Sequence, residues 1–353
     1  MTPRGTDWTL ALLVSLLSAT GLLTWFSGDG HRAWVFAVHA AAGGALALVL
    51  GWKLRRVWPR VLRPSRWDGW TASGLAALGL VAITLASGWL WSSAGQAYLA
   101  GYSLLVWHTA LGAALAAVVA VHLARRARRP RVRDLASRRQ FLRTVGVAAG
   151  GVGVWWLQRP LAQALGWPGA RRRFTGSYQS ASDQGNAFPT TSWVADSPRP
   201  LSRRDYRLRI GGLVRNPVEL RAEHLDVGHE LVATLDCTGG FYSTQRWSGA
   251  RLASLIAAAR PLPTANHVRV ISHTGYRWSF PLARSAELLL ATAVGGEPLS
   301  HGHGAPARLV APGRRGFQWV KWVVRLELTD GPDLGAAAST VWSSFTPEGT
   351  GRA

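Results

Sequence analysis

Long apolar runs dominate the first third of the chain, and short polar segments separate them. Four of these runs carry no charge and occupy residues 9–26, 34–52, 70–91 and 103–123. Each has about 18 to 22 residues, which at about 1.5 Å per residue is enough for a helix to cross a hydrocarbon core of about 30 Å. The pattern predicts a transmembrane four-helix bundle in contact with membrane lipid, rather than buried helices of a soluble protein.

From residue 206 onward the pattern changes to short stretches in which apolar and polar residues alternate. Such stretches at 206–214, 267–272, 308–313 and 320–328 predict β-strands. The clearest helical pattern in this part of the chain covers 249–259. The second half is therefore predicted to be an α+β domain.

Composition and charge narrow the class of protein. The chain has 353 residues, 40 Lys and Arg against 18 Asp and Glu, a net charge of +22 and 48% hydrophobic residues. Such a charge suggests a nucleic-acid partner, but nucleic-acid-binding domains are seldom this apolar, so no nucleic acid is expected. The single cysteine excludes a disulfide framework and a cysteine-based iron–sulfur or structural zinc site.

The positions of the basic residues indicate how the bundle is oriented. Six of them lie in 53–66 and nine arginines lie in 125–143, whereas the loop at 92–102 carries no charge. Because cytoplasmic loops of membrane proteins are rich in Lys and Arg, both basic segments and the N-terminus are predicted to be cytoplasmic.

The bundle contains an internal repeat. The segment SATGLLTW at 18–25 resembles TLASGWLW at 84–91, and VFAVHAAAGGALALVL resembles LLVWHTALGAALAAVV. The repeat places His39 and His108 at one depth, each four residues before a glycine, Gly43 or Gly112. Two such histidines are either the axial ligands of a b-type haem, with the glycines leaving room for the macrocycle, or hydrogen-bonding groups inside the bundle.

A third histidine, His122, lies 14 residues after His108, about 21 Å along the helix, where a second haem would bind. The equivalent position in the first repeat is Lys53, so the repeat supplies no second histidine pair. One haem b is therefore expected, with His122 as a further candidate ligand. The bundle as a whole resembles the four-helix b-type cytochromes of bacterial membranes, including the cytochrome b561-like family.

A short segment joins the two halves. It reads SRRQFLR at 137–143, and a glycine-rich apolar run follows at 144–157. A paired arginine before Phe-Leu and an apolar run looks like a twin-arginine export signal, although the pair also fits stop-transfer charge. The run is predicted to stay as a fifth transmembrane helix, which places residues from 161 onward outside the cytoplasm. The twin-arginine translocase is then a partner, and because it carries folded proteins, the exported domain is expected to bind a cofactor.

The single cysteine, Cys237, lies in LVATLDCTGGFYSTQRW, at the end of an apolar strand and before a Gly-Gly turn. Its position alone fits a buried core residue, a nucleophile or a metal ligand. A nucleophile would want a paired histidine, and nothing nearby fixes one.

Longer segments around Cys237 resemble the sulfite oxidase/methionine-sulfoxide reductase family of molybdopterin enzymes. They read NAFPTTSW, YRLRIGGLVRNPVEL, TLDCTGG, RWSGARLASLI, VRVISHTGYRWSFPL and GGEPLSHGHGAPARLVAPGRRGFQWVKWVVRLEL. The similarity runs in order over about 186–328. It implies that the Cys237 thiolate binds molybdenum, which suits the affinity of soft thiolates for such metals.

The same resemblance implies the contacts of the molybdenum–molybdopterin cofactor. It implies pterin contacts for Asn186, Pro189, Thr190 and Ser272, and further cofactor contacts for His303, Arg308, Trp319, Val320 and Lys321. Of these, Arg308 and Lys321 match basic residues near the phosphate, which guanidinium and ammonium groups bind well. The alternative for both is a solvated charge at a strand end.

Three positions depart from the family pattern. His303 stands where the reductase branch has Asn, Gln318 where sulfite oxidases usually have Arg, and Gly240 where Asn often follows their cysteine. The anion-binding arginines of the sulfite branch are therefore not assured. Arg246, nine residues after the cysteine, is predicted to line the substrate funnel.

These observations predict a cytochrome b-like membrane domain at 1–124, a basic linker with the twin-arginine motif and the fifth helix at 125–160, and a molybdopterin domain at 161–353. The predicted protein is a multi-pass oxidoreductase of a bacterial cell membrane, with its catalytic domain outside the cytoplasm. It transfers an oxygen atom to or from a small S- or N-oxide or sulfite-like substrate and exchanges electrons with quinone or quinol through the haem. The alternative is a non-enzymatic membrane electron carrier with a degenerate outer domain.

Overall fold

The computed structural model describes residues 2–67, 69, 71–126, 138–191, 198–225, 227–336 and 338. The chain divides into two compact units, Met1–Tyr178 and Gln179–Ala353. Residues 161–178, predicted to belong to the outer domain, therefore group with the helices. Several parts of the predictions lie outside the described residues: residue 70 of the third apolar run, 127–137 in the basic linker with Ser137 of the twin-arginine motif, 192–197 at the end of the NAFPTTSW region, and 339–353 of the predicted outer domain.

The first unit contains the predicted helices. They are α1 Pro3–Thr24, α2 Ala33–Val61, α3 Thr71–Ser93 and α4 Leu104–Arg126, followed by α5 Arg138–Ala164, and the short strands β1 Tyr98–Leu99 and β2 Tyr102–Ser103 pair between α3 and α4. Among the described residues, four helices are long and apolar enough to cross a membrane, at Pro3–Thr24, Gly30–Pro59, Thr71–Ser93 and Leu104–Arg125. The four apolar runs of the sequence are thus confirmed as helices of membrane-spanning length.

The core of the bundle takes one side chain from each of the first four helices. Val14, Leu46, Val81 and Leu115 are buried against one another. Helix α1 packs on α2, α3 packs on α4, and α1 also contacts α4. The two helix pairs therefore contribute equivalent residues to one shared core.

Helix α5 packs against α2 through glycines. A Cβ atom at Gly151 would lie only 2.4 Å from the carbonyl oxygen of Ala41, and one at Gly150 would lie 2.7 Å from the Leu48 side chain. Close backbone approach through small residues is typical of helix packing in membranes. Helix α5 is not among the four candidate spans, and its crossing of the membrane stays a prediction.

The described part of the second unit contains two sheets, preceded by β3 Tyr178–Gln179 at the boundary. In the first sheet, β10 Leu289–Val294 pairs with β7 Phe241–Arg251, β11 Glu297–Pro298 and β12 Arg308–Val310, and β6 His229–Asp236 pairs with β7. The second sheet has the order β5 Val218–Arg221, β4 Arg207–Gly212, β13 Val323–Thr329, β8 His267–Ser272 and β9 Arg277–Pro281. All its pairs are antiparallel except β13 with β4, which is parallel.

The helix predicted at 249–259 is shorter than expected. Residues up to Arg251 continue β7, and helix α6 covers Leu252–Ala258. Gly249 lies in β7, and a Cβ there would come within 2.2 Å of the Leu290 carbonyl oxygen on the neighbouring strand. The close pairing of the two strands therefore requires glycine at this position. The spacing of apolar residues, which predicted a helix, gives no sign of this contact.

Candidate functional sites

Cys237 occupies the turn between β6 and β7. Its N–H donates to the Phe241 carbonyl at 2.8 Å, and its own carbonyl accepts from the Gly240 N–H at 3.1 Å. Gly240 has φ of +103°, a conformation that favours glycine. The Gly-Gly turn of the sequence is therefore the device that presents the cysteine at the end of the hairpin.

Two hydrogen-bonding groups contact the Cys237 thiol. The Gly239 N–H donates to Sγ at 3.3 Å, and the Thr191 hydroxyl lies 3.3 Å from the same sulfur. The Thr191 carbonyl in turn accepts from Nζ of Lys321 at 2.7 Å. Thr191 therefore connects the cysteine with one of the two predicted phosphate-binding residues, and neither Thr191 nor Gly239 was predicted.

A turn at 300–304 brings Lys321 and Arg308 together. Lys321 Nζ donates to the Gly302 carbonyl at 2.7 Å, and Arg308 Nη1 donates to the His303 carbonyl at 2.9 Å. A Cβ atom at Gly304, whose φ is +106°, would lie 3.0 Å from Cβ of both basic residues. The glycine therefore leaves space for the two cations to approach the same turn.

Arg308 is the most buried cation of the site, with 2% of its surface exposed. Its guanidinium lies over the rings of Trp247 and Trp319, and its Nε has no hydrogen-bond partner among the described residues. Burial lowers the pKa of Arg308 to about 10, and the nearby Cys237 opposes that shift. A buried guanidinium with an unused donor fits an anionic group better than a solvated strand end.

His303 belongs to this turn, and its side chain is buried. Its Nδ1 is 2.7 Å from the Ser300 hydroxyl, its Nε2 donates to the Phe188 carbonyl at 2.9 Å, and its ring packs on that of Phe188. The pKa of His303 is lowered to about 4, mainly by burial and in part by the nearby charges of Arg308 and Lys321, while the hydrogen bond to Phe188 opposes the shift. Both ring nitrogens already have protein partners, so a direct contact of His303 with a cofactor stays a prediction.

The remaining predicted cofactor residues fall into two groups. Asn186 ties its segment to the turn at 300–304, donating to the Pro298 carbonyl and accepting from the Ser300 N–H, both at 2.9 Å. The structure places Pro189 and Thr190 on this segment, and Trp319 and Val320 on the buried segment just before Lys321.

Ser272 and Arg246 are the last two predicted site residues. Ser272 ends β8 in the other sheet, and its hydroxyl contacts Thr274. Arg246 faces solvent on β7, opposite Val232, and pairs with Glu230 at 3.6 Å. Val232 precedes Cys237 by five residues, about 16 Å of strand, so the assignment of Arg246 to the substrate funnel stays a prediction.

A buried ion pair, formed by Asp236 and Arg315, lies next to the backbone of Cys237. Arg315 Nη1 lies 2.6 Å from Oδ1 of Asp236, and Nη2 donates to the Cys237 carbonyl at 3.3 Å. The two side chains are 4% and 1% exposed. Neither Asp236 nor Arg315 was predicted. The aspartate directly before the cysteine was a signal for such a pair, because a buried carboxylate needs a cation as partner.

The helical unit brings His39 and His108 together. Their ring centres are 6.1 Å apart, with the ring planes 83° to one another. Nδ1 of His39 lies 2.9 Å from the Thr20 hydroxyl, and Nδ1 of His108 donates to the Thr84 carbonyl at 2.9 Å. Because a carbonyl can only accept, a neutral His108 ring carries its lone pair on Nε2.

Glycines of α1 and α3 make room for these rings. A Cβ at Gly88 would lie 2.7 Å from Cε1 of His108, and one at Gly21 would lie 3.5 Å from Cε1 of His39. His122 has a different environment, in which the Ser73 hydroxyl lies 3.4 Å from its Nδ1.

Comparison with known proteins bears on the second unit. Residues 195–336 match the family of the oxidoreductase molybdopterin binding domain. This part of the chain is therefore similar to molybdopterin-binding domains. The expected resemblance to sulfite oxidase and methionine-sulfoxide reductase proteins is thereby confirmed for this part of the chain.

Several curated proteins resemble the molybdopterin domain. Rat sulfite oxidase is 37% identical over 34% of this chain and 28% of its own length, and the catalytic subunit MsrP of the protein-methionine-sulfoxide reductase of Gluconobacter oxydans is 30% identical over 46% and 56%. The NADPH nitrate reductase of Emericella nidulans is 30% identical over 36% of this chain and 18% of its own length. The chain thus spans at most 56% of these relatives.

Proposed function

We propose that this protein is a membrane-bound, molybdopterin-dependent oxidoreductase that transfers an oxygen atom to or from a small S- or N-oxide or sulfite-like substrate. The observation that carries the proposal is the environment of Cys237 within the molybdopterin domain. The buried Cys237 thiol contacts two hydrogen-bonding groups. The buried Arg308 guanidinium, whose Nε has no hydrogen-bond partner among the described residues, lies close enough to Cys237 for the two to interact electrostatically.

The residues present fit the cofactor. Cys237 would bind the molybdenum, and the Gly239 N–H and the Thr191 hydroxyl would stabilise the thiolate by donating to its sulfur. Arg308 and Lys321 would hold the phosphate, while Asn186 keeps the segment with Pro189 and Thr190 against the turn at 300–304. When bound, the metal supplies the change of two oxidation levels that oxygen-atom transfer requires.

Atoms, protons and electrons balance in both directions of that reaction. In the oxidative direction, water supplies the oxygen atom, and two protons and two electrons leave. In the reductive direction, the substrate oxygen leaves as water and the same two protons and electrons are consumed. The relatives named above include an oxidase and two reductases, so both directions belong in the assay.

His39 and His108 would hold a b-type haem, which would supply electron exchange with quinone or quinol. The rings here are 6.1 Å apart. Their Nδ1 atoms are held by the protein, as in ligands whose other nitrogen binds a metal. A Cβ at Gly112 would meet no described atom within 4 Å, which leaves space beside the pair.

The membrane location rests on the four candidate spans and on α5. Large apolar side chains of α5, among them Phe141, Trp156 and Leu157, are exposed, while its glycines pack on α2. Such a helix is stable with lipid around its apolar face, which supports a fifth span. A bacterial membrane, export through the twin-arginine translocase and an extracytoplasmic second unit complete the proposal.

Metal analysis and redox assays of the purified full-length protein test this function. We expect molybdenum in the wild type, and turnover of sulfite, methionine sulfoxide or another S- or N-oxide with a quinone or quinol analogue. Cys237→Ser should reduce that turnover to background, while Ser248→Ala on the same hairpin should leave it unchanged. A wild type without molybdenum would contradict the proposal and favour the non-enzymatic electron carrier.

A further inference from the structure

The two repeats of the helical bundle correspond residue by residue. Residues of α1 and α3 are related by an offset of 67, and those of α2 and α4 by an offset of 69. The shared core agrees with both offsets, because Val14 corresponds to Val81 and Leu46 to Leu115, and the four pack together. Equivalent positions can therefore be compared along the whole length of the bundle.

Around the histidine pair, each repeat uses a hydroxyl residue followed by a glycine. Thr20 contacts Nδ1 of His39, and Ser87 lies 3.3 Å from Nδ1 of His108. A Cβ added at the glycine that follows each hydroxyl residue would lie close to the same ring, 3.5 Å from Cε1 of His39 for Gly21 and 2.7 Å from Cε1 of His108 for Gly88. This first layer consists of Thr20, Gly21, His39, Ser87, Gly88 and His108.

The same arrangement recurs once more, fourteen residues away on α3 and α4. Ser73 lies 3.4 Å from Nδ1 of His122, and a Cβ at Gly74 would lie 3.9 Å from Cε1 of that ring. Fourteen residues correspond to about 21 Å along a helix. One repeat therefore has a second hydroxyl–glycine–histidine group.

The other repeat has an ion pair at this level. Thr6 corresponds to Ser73, Asp7 to Gly74 and Lys53 to His122. Nζ of Lys53 lies 2.9 Å from Oδ1 of Asp7, and the Thr6 hydroxyl donates to the Thr2 carbonyl instead of to a ring. The hydroxyl is kept, but the glycine and the histidine are both replaced.

The second layer consists of Thr6, Asp7, Lys53, Ser73, Gly74 and His122. We infer that the Asp7–Lys53 pair prevents a haem from binding in this layer. The protein then binds one haem, and His122 is not a ligand. An ammonium group has three donors and no lone pair, so it offers nothing to a metal. The inference rests on the proposed haem between His39 and His108. It confines electron exchange within the bundle to the first layer.

The number of haems per chain in the purified full-length protein tests this inference. Reduced-minus-oxidised spectra and the pyridine haemochrome, set against protein concentration, should give one haem in the wild type and one in His122→Ala. The double variant Asp7→Gly, Lys53→His should give two, which doubles the haem absorbance. Adding His122→Ala to that variant should return the number to one.

Each result has a definite consequence. Two haems in the wild type, or a loss of haem in His122→Ala, would overturn the inference while leaving the proposed function intact. A double variant that keeps the first-layer spectrum and still binds one haem would show that the ion pair does not close the site. A wild type without haem would contradict the haem of the proposed function itself.

Discussion

The histidine layer of the bundle and the cysteine site of the molybdopterin domain are built in different ways. His39 and His108 are each held by the preceding helix of the same repeat, about 20 residues back in the chain. The Cys237 site instead joins segments as distant as Thr191 and Lys321, which are 130 residues apart. A site made by one helix pair can be duplicated and altered as a unit, whereas a site made from separate loops depends on the entire domain.

Removing one histidine of the layer should have the largest effect. His39→Ala should abolish the b-type haem absorbance, because one axial ligand is lost and the other repeat cannot replace it. The molybdenum content of the second unit should not change. His31→Ala, at an exposed position before α2, is the matched control and should leave the spectrum intact. Undiminished haem in His39→Ala would contradict the assignment.

The dependence of the cysteine site on the entire domain can be tested at the buried ion pair between Asp236 and Arg315. Arg315→Met leaves Asp236 buried without its main cation, so the free energy of unfolding of the molybdopterin domain should fall by about 3–5 kcal/mol. Denaturant unfolding followed by tryptophan fluorescence measures this, and the haem spectrum should stay the same.

The double variant Asp236→Leu, Arg315→Met is the control for that experiment. Removing both charges should recover most of the lost stability, because no uncompensated charge is then buried. A single variant within about 1 kcal/mol of the wild type would mean that the pair contributes little to the site.

A smaller effect is expected from the titration of His303. Burial lowers the pKa of His303 to about 4 in the folded domain, against about 6.5 in an unfolded chain. The unfolded chain therefore binds the proton first on acidification. The stability that neutral His303 contributes is complete above pH 6.5 and falls by up to about 3 kcal/mol towards pH 4. In His303→Asn, the free energy of unfolding, measured by denaturant unfolding at each pH, should vary less between pH 6.5 and pH 4. An unchanged pH dependence in the variant would show that His303 does not cause it.

The smallest effect is expected at Arg246. Its pair with Glu230 is exposed, and such pairs contribute about 0–1 kcal/mol. Arg246→Ala should therefore leave the unfolding free energy nearly unchanged. Steady-state kinetics decide its other predicted role: an unchanged KM would exclude it from the substrate funnel, and a clear rise in KM would place it there.

The two regions also differ in how far the sequence predicts them. Hydrophobic run length and the repeat predict the helices and the pairing of His39 with His108, because a helix fixes depth and direction by residue number alone. The sequence pattern did not predict the hydroxyl partner of each ring, since a contact between helices depends on their rotation.

The cysteine site was predictable mainly through resemblance. Its turn could be read from the Gly-Gly pair, but Thr191 and Arg315 reach Cys237 only through the tertiary arrangement of loops distant in sequence. Periodicity carries no information on such contacts. The helix at 249–259 was overextended for a related reason, because the close approach of Gly249 to the neighbouring strand is a property of the folded sheet.

The proposed function depends above all on Cys237 as the protein ligand of molybdenum. X-ray absorption at the molybdenum edge tests it most directly, in the purified wild type and in Cys237→Ser. We predict one fewer sulfur neighbour of molybdenum in the variant than in the wild type. The same number of sulfur neighbours in both proteins would contradict the claim.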